Sequence, residues 1–108
     1  MEALELVENT GERYHEALLY RSKGDLMRAQ DRGVEAVTNF RTAIRVAQNQ
    51  SAKSVELLAV MDLARLLASR SRRDEARAML SEIYGWFTEG LDTADLKDAK
   101  ALLEELSV

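Results

Sequence analysis

Residues Tyr20 to Ala43 read YRSKGDLMRAQDRGVEAVTNFRTA, and forty positions later Val60 to Ile83 read VMDLARLLASRSRRDEARAMLSEI. Laid over one another, Gly24 meets Ala64, Leu26 meets Leu66, Met27 meets Leu67, Arg32 meets Arg72, Glu35-Ala36 meets Glu75-Ala76 and Phe40 meets Leu80. The offset holds upstream as well: Ala3, Leu4, Leu6, Val7 and Asn9 fall on Ala43, Ile44, Val46, Ala47 and Asn49, while Glu16 and Leu18 fall on Glu56 and Leu58. Single matches are common among Ala- and Leu-rich helices. A constant offset through two helices and their connecting turn marks a repeated supersecondary unit.

The period of the apolar residues is helical throughout. Ala17, Leu18, Leu19, Leu26 and Met27 predict a helix over about 12–29, followed by a turn at Gln30-Asp31-Arg32-Gly33 in which Gly33 can take a positive φ. Ala36, Val37, Phe40, Ala43, Ile44 and Ala47 predict a second helix over 34–49. Ser51 is the expected N-cap of a third over 52–69, and the polar turn Arg70-Ser71-Arg72-Arg73 introduces a fourth over 73–88. Gly90-Leu91-Asp92 closes that helix, and Asp92 or Thr93 caps a last one carrying Leu96, Ala99, Leu102, Leu103 and Leu106. The chain thus reads as all-α, about five helices in a single domain over 1–108. Residues 1–10 are expected to end a truncated preceding repeat, 12–49 and 52–88 to be whole repeats, and 93–106 to be a capping helix with an acidic outer side at Asp95, Asp98, Glu104 and Glu105.

Composition agrees and excludes much. The 108 residues contain no Pro, the strongest helix breaker, where ordinary usage would place roughly five. There is no Cys, which excludes a disulfide framework, a thiol nucleophile and a Cys-based zinc site. The opening MEALELVENTGE lacks the basic and apolar regions of a signal peptide, and no apolar stretch has the length of a membrane span, so a cytoplasmic protein without membrane contact is expected. Net charge is −4, but residues 1–40 carry five basic and eight acidic side chains, 41–80 carry eight and four, and 81–108 carry two and seven. That balance argues against a nucleic-acid binder.

A two-helix unit of this kind resembles the tetratricopeptide repeat. The family pattern places an aromatic, a small residue four on, an Ala twelve later, a Phe four later and an Ala three after that; here these are Tyr20, Gly24, Ala36, Phe40 and Ala43. The second unit is degenerate, with Val60, Ala64, Ala76, Leu80 and Ile83. Lys23 stands where the pattern has Leu, Gln48 where it has Pro, and the period is 40 instead of 34. The resemblance implies a right-handed α-solenoid of antiparallel helix pairs. In it, small residues at 24, 36, 64 and 76 let helices approach, and the side chains of Phe40 and Leu80 fill the space between units.

The segments Gly11–Tyr14 through Gly24–Leu26, Ala47–Ser54 and above all Tyr84-Gly85-Trp86-Phe87-Thr88-Glu89-Gly90-Leu91-Asp92 on to Lys97 resemble the C-terminal helical-repeat region of large bacterial signalling ATPases. In that group a cyclase-like or DNA-binding transcription-regulator domain and an ATPase domain precede the repeats. The likeness covers about residues 3–106 and implies a C-terminal fragment of such a protein, a regulatory or scaffold module whose catalytic chemistry would lie upstream.

Chemical alternatives find little support. Neither GxxxxGK[ST] nor GxGxxG occurs, so no recognised loop cradles phosphates. His15 is the single histidine, and a helix-surface or helix-packing role accounts for it. Asp74-Glu75, Asp95, Asp98 and Glu104-Glu105 fall in first turns or on solvated faces, where dipole and solubility arguments suffice. No catalytic, cofactor or metal residue is assigned. Arg70, Arg72, Arg73 and Arg77 form a basic cluster without aromatic interleaving, read as a solvated turn that ion-pairs with acidic segments. Trp86 and Phe87 either lock the fourth helix to the last or form an exposed hot spot.

In tetratricopeptide arrays the first helix of each pair lines the concave face. The overlay assigns that face to Arg21, Asp25 and Arg28 in one unit and Met61, Arg65 and Ala68 in the next, a mixed set suited to a protein or peptide segment. The alternative is an independent adaptor or homo-oligomerisation domain that pairs through an apolar end at residues 3–9.

Overall fold

The computed structural model describes the backbone of residues 2–87 and 93–107, and the side chains of 15–87 and 93–107. Five helices follow one another: α1 (Glu2–Ala29), α2 (Gly33–Asn49), α3 (Lys53–Ser69), α4 (Arg73–Trp86) and α5 (Ala94–Leu106). Among the described residues there is no strand, and no helix is long and apolar enough to cross a membrane. The fold is all-α. One boundary differs from the sequence reading: α1 runs without a break through Gly11, where one helix was expected to end and another to begin. A glycine inside a helix costs about 1 kcal/mol, which flanking helix formers can offset. The apolar end expected at residues 3–9 lies outside the described side chains.

The first three interhelical turns share one construction. At the end of α1, Asp31 takes a left-handed φ of 60°, its N–H donates to the Arg28 carbonyl at 3.0 Å, and the Arg32 N–H donates to the Met27 carbonyl at 2.8 Å. Forty residues on, Ser71 has φ 64°, its N–H donates to Ala68 at 3.2 Å, and the Arg72 N–H donates to Leu67 at 2.9 Å. Between α2 and α3 the same pair of bonds recurs around Ser51, φ 53°, with Ser51 to Gln48 at 3.1 Å and Ala52 to Ala47 at 2.9 Å. Each satisfies the open carbonyls of the preceding helix in a Schellman motif. Two expectations are corrected. The left-handed residue is Asp31, whose short polar side chain tolerates that region, and Gly33 simply opens α2. Ser51 occupies the left-handed position, which leaves Ala52 as the N-cap of α3. Thr93 caps α5 as expected, accepting from the Leu96 N–H at 3.4 Å.

Helices adjacent in sequence pack on each other, and α1 touches α3 as α3 touches α5, whereas the backbones of α2 and α4 stay farther apart and are bridged by the side chains of Arg41 and Glu75. Odd helices therefore form one layer and even helices the other, in a body 20 Å thick along its shortest axis, the depth of two packed helices. The main core joins Phe40, Leu57, Leu63, Leu67, Leu80 and Leu102 across α2 to α5, and a smaller one joins Ala17, Ala47, Ala52 and Val55. Of the residues assigned to repeat packing, Gly24, Ala36, Phe40, Ala43, Ala64, Ala76 and Leu80 are buried and Tyr20 is half-buried. Leu18, Leu19 and Leu26, read as part of an inward stripe, are instead exposed; Ala17 and Gly24 face inward, with Met27 half-buried.

The offset reaches α5 as well. Leu19, Ala59 and Ala99 share one repeat position, Ser22, Asp62 and Leu102 another, and Leu26, Leu66 and Leu106 a third. In α3 and α5 the apolar residues at these positions are covered: Ala59, Leu66, Ala99, Leu102 and Leu106 are all buried. In α1 the same face is bare.

Candidate interaction surface

Two clefts run along the side formed by α1, α3 and α5. The first, about 460 Å³, lies between α1 and α3 and is bordered by Asp25, Arg28, Asp62, Arg65, Leu66 and Ser69. The second, about 430 Å³, lies between α3 and α5 and includes Arg65, Arg73, Leu102 and Glu105. Arg65 belongs to both. Its position in α3 follows from the helical period: residues 62, 65 and 69 share one side, while 53, 56 and 60 occupy the opposite one.

Arg21 meets this surface through Asp62, which borders the first cleft, and is already engaged. Its Nε donates to Asp62 Oδ2 at 2.5 Å, joining α1 to α3 in a part-buried ion pair. Desolvation alone would lower the pKa of the guanidinium, but the hydrogen bond and charge of Asp62, helped by Asp25 and Asp95, raise it above its ordinary value. The pair is an interhelical tie. Asp25 and Arg28 are exposed and face each other loosely at 3.8 Å. Arg65 is exposed and has no ion-pair partner among the described residues. Arg73 Nη2 crosses to the Glu105 carbonyl at 2.5 Å.

Met61 is not on this surface. It is 3% exposed and belongs to the core that α3 shares with α4 and α5. The overlay explains why: Met61 occupies the repeat position of Arg21, and Leu102 that of Asp62. The first interface has an ion pair where the second has two apolar side chains within one core. Ala68 is half-buried and reaches only the second cleft's edge.

The basic turn is largely spoken for. Arg72 pairs with Glu75 at 2.5 Å, Arg77 with Asp74 at 3.6 Å, and Glu75 also receives Arg41 of α2 at 2.9 Å. Desolvation would raise the Glu75 pKa, but the hydrogen bonds and charges of Arg41 and Arg72 hold the carboxyl below its usual range. His15 is exposed. Trp86 is 57% exposed, whereas Phe87 is half-buried and packs against the main core, the rings meeting edge to face at 5.0 Å. Phe87 thus packs inward while Trp86 is exposed. No group of three or more His, Asp or Glu side chains gathers as a metal site among the described residues. The chain matches no family model, no curated protein and no solved structure.

Proposed function

We propose that this chain is a non-enzymatic protein-interaction module of the tetratricopeptide type: a right-handed α-solenoid of antiparallel helix pairs capped by α5. It would serve in the cytoplasm as a regulatory or scaffold part of a larger bacterial signalling ATPase of the cyclase-like or transcription-regulator-like group. The observation that carries this reading is the recurrence of one turn every twenty residues, at Asp31, Ser51 and Ser71, so that every second turn falls on the forty-residue offset of the sequence overlay. Repetition of a whole unit is how such arrays extend a surface without a catalytic centre.

The surface along α1, α3 and α5 takes a protein or peptide segment, or another domain of the parent chain. Arg65 is its anchor, being a cation between two clefts with no acid of its own among the described residues. Asp25 and Arg28 flank it. Arg21 supports it through Asp62. Selection of a random peptide phage library on the immobilised chain tests this. Enriched peptides bearing a carboxylate should lose at least tenfold in affinity against Arg65→Glu, with the melting temperature unchanged. Failure to enrich any sequence, or indifference to Arg65→Glu, overturns the reading.

A second reading, self-association, is favoured by the bare face of α1. Leu19 is 41% and Leu26 53% exposed, yet their repeat equivalents in α3 and α5 are buried. Apolar side chains at a position built for docking drive association when nothing covers them. Sedimentation equilibrium at high micromolar concentration should give a dimer that Leu19→Glu/Leu26→Glu dissolves. A strict monomer removes this reading.

A further inference from the structure

On the opposite side of α3, lined by residues of α2, α3 and α4, lies a cleft of about 290 Å³. Its lining includes the buried Glu56, a residue only 5% exposed, whose carboxylate accepts from Gln48 Nε2 at 3.2 Å and from Lys53 Nζ at 3.3 Å. Its mouth is Trp86, the one exposed aromatic among the described side chains and the single tryptophan of the sequence. The Lys53 ammonium lies 5.5 Å from the Trp86 ring centroid, within the reach of a cation–π contact. Ile44 and Ile83 supply apolar walls, and Glu82 stands on the rim with no cationic partner among the described residues.

These features describe a receptor for an alkyl cation that is already holding one. A buried carboxylate and an indole face on either side of one ammonium are what recognises a lysine or arginine side chain. Lys53 does not serve its own helix there: it is the first residue of α3, at the positive end of the helix dipole, where a cation is disfavoured. Its side chain is about a third exposed and can turn out into water. With Lys53 in place the lining carries one positive and two negative groups, so the cleft still favours a cation.

We propose that this cleft binds a basic side chain of a partner peptide, with Lys53 as a built-in occupant that the partner displaces. An arginine flanked by apolar residues fits best, because a guanidinium stacks on the indole and bonds a carboxylate in two places. The site is separate from the Arg65 surface and does not depend on it.

The single Trp86 provides the readout. Titrating acetyl-Ile-Arg-Ile-amide into the full chain should change its fluorescence saturably, the lysine peptide should bind more weakly, and the glutamate peptide should give no saturable change. Lys53→Ala removes the competitor and should tighten the arginine peptide by about threefold, the size of one exposed cation–π contact. Glu82→Gln, on the rim and without bearing on folding, should weaken it about threefold, comparable to an exposed ion pair. Glu56→Gln should weaken it further while the thermal melt stays cooperative. Arg65→Glu should leave it unchanged. Absence of saturation with the arginine peptide, equal binding of the glutamate peptide, weaker binding by Lys53→Ala, or loss on Arg65→Glu would each overturn the proposal.

Discussion

Gly24 of α1 faces the ring of Phe40 of α2 so closely that a Cβ at position 24 would stand 2.5, 2.6 and 2.9 Å from three ring carbons. Ordinary van der Waals contact begins at 3.4 Å, so the ring would have to retreat by about 0.9 Å. Phe40 is fully buried and has no open side to retreat into. Gly24→Ala gains about 1 kcal/mol of helix propensity but incurs about 2 to 3 kcal/mol of overpacking, leaving a net loss of about 1 to 2 kcal/mol. Thermal unfolding followed by circular dichroism should show the melting temperature fall by about 5 to 10 °C. The second unit indicates the remedy. There the same two positions hold Ala64 and Leu80, both fully buried, a larger residue facing a smaller one. Phe40→Leu alone leaves a void and costs about 1 kcal/mol, whereas Gly24→Ala/Phe40→Leu should recover most of the loss, a coupling of about 1 to 2 kcal/mol. A Gly24→Ala variant that melts higher than the parent, or a double variant whose losses simply add, would refute the close-packing argument.

The Arg21–Asp62 tie makes a second prediction. Arg21→Met strands a part-buried carboxylate and should cost about 2 to 3 kcal/mol in urea unfolding, but Arg21→Met/Asp62→Leu, which copies the Met61 and Leu102 pair, should be neutral or stabilising by about 1 kcal/mol. An additive double variant would refute the equivalence of the two interfaces. Glu75 sets a pH dependence. Its folded pKa lies below the ordinary 4.5, so its contribution is fully present above that pH and fades as the pH falls through the lower folded value. Glu75→Gln should therefore lower the melting temperature at pH 7 and converge on the parent in acid. A gap that stays constant from pH 7 to pH 3 would contradict the assignment.

Much of the fold was legible because periodicity and offset report backbone geometry. The last four helices fall within about two residues of the expected bounds, and the repeat of Asp31 by Ser71 lies in the sequence overlay itself. What sequence could not supply was cover. Leu19 and Leu26 have the spacing of a core stripe, but a period says which side is apolar and not whether anything lies against it. Met61 was placed on the surface by analogy with Arg21, although a methionine opposite an arginine in the overlay already signalled that the two positions meet different neighbours. The Glu56 cleft depends on Trp86, thirty residues away, and its three-residue link to Lys53 looks like any helical ion pair until α4 brings the indole over it.

The units share geometry while their contacts differ in chemistry, and the contacts change in pairs. Where the first unit sets Gly24 against Phe40 the second has Ala64 and Leu80, and where the first pairs Arg21 with Asp62 the next positions are Met61 and Leu102, all four within one core. Each exchange keeps volume or charge balanced across its contact, which is what packing at crystal-like density and the cost of a stranded charge both require. Repetition alone therefore does not distinguish a structural position from a functional one. Positions where the balancing member is missing do. Arg65 faces no acid, Glu82 no base, and Leu26 no covering helix among the described residues. The clefts of Arg65 and Glu82 lie on opposite sides of α3 and Leu26 lies on α1, and each asks for a different complement: a carboxylate, a cation and an apolar helix. A partner that engages more than one of them must wrap around the helix pairs, so single substitutions at these three positions should weaken distinct contacts independently.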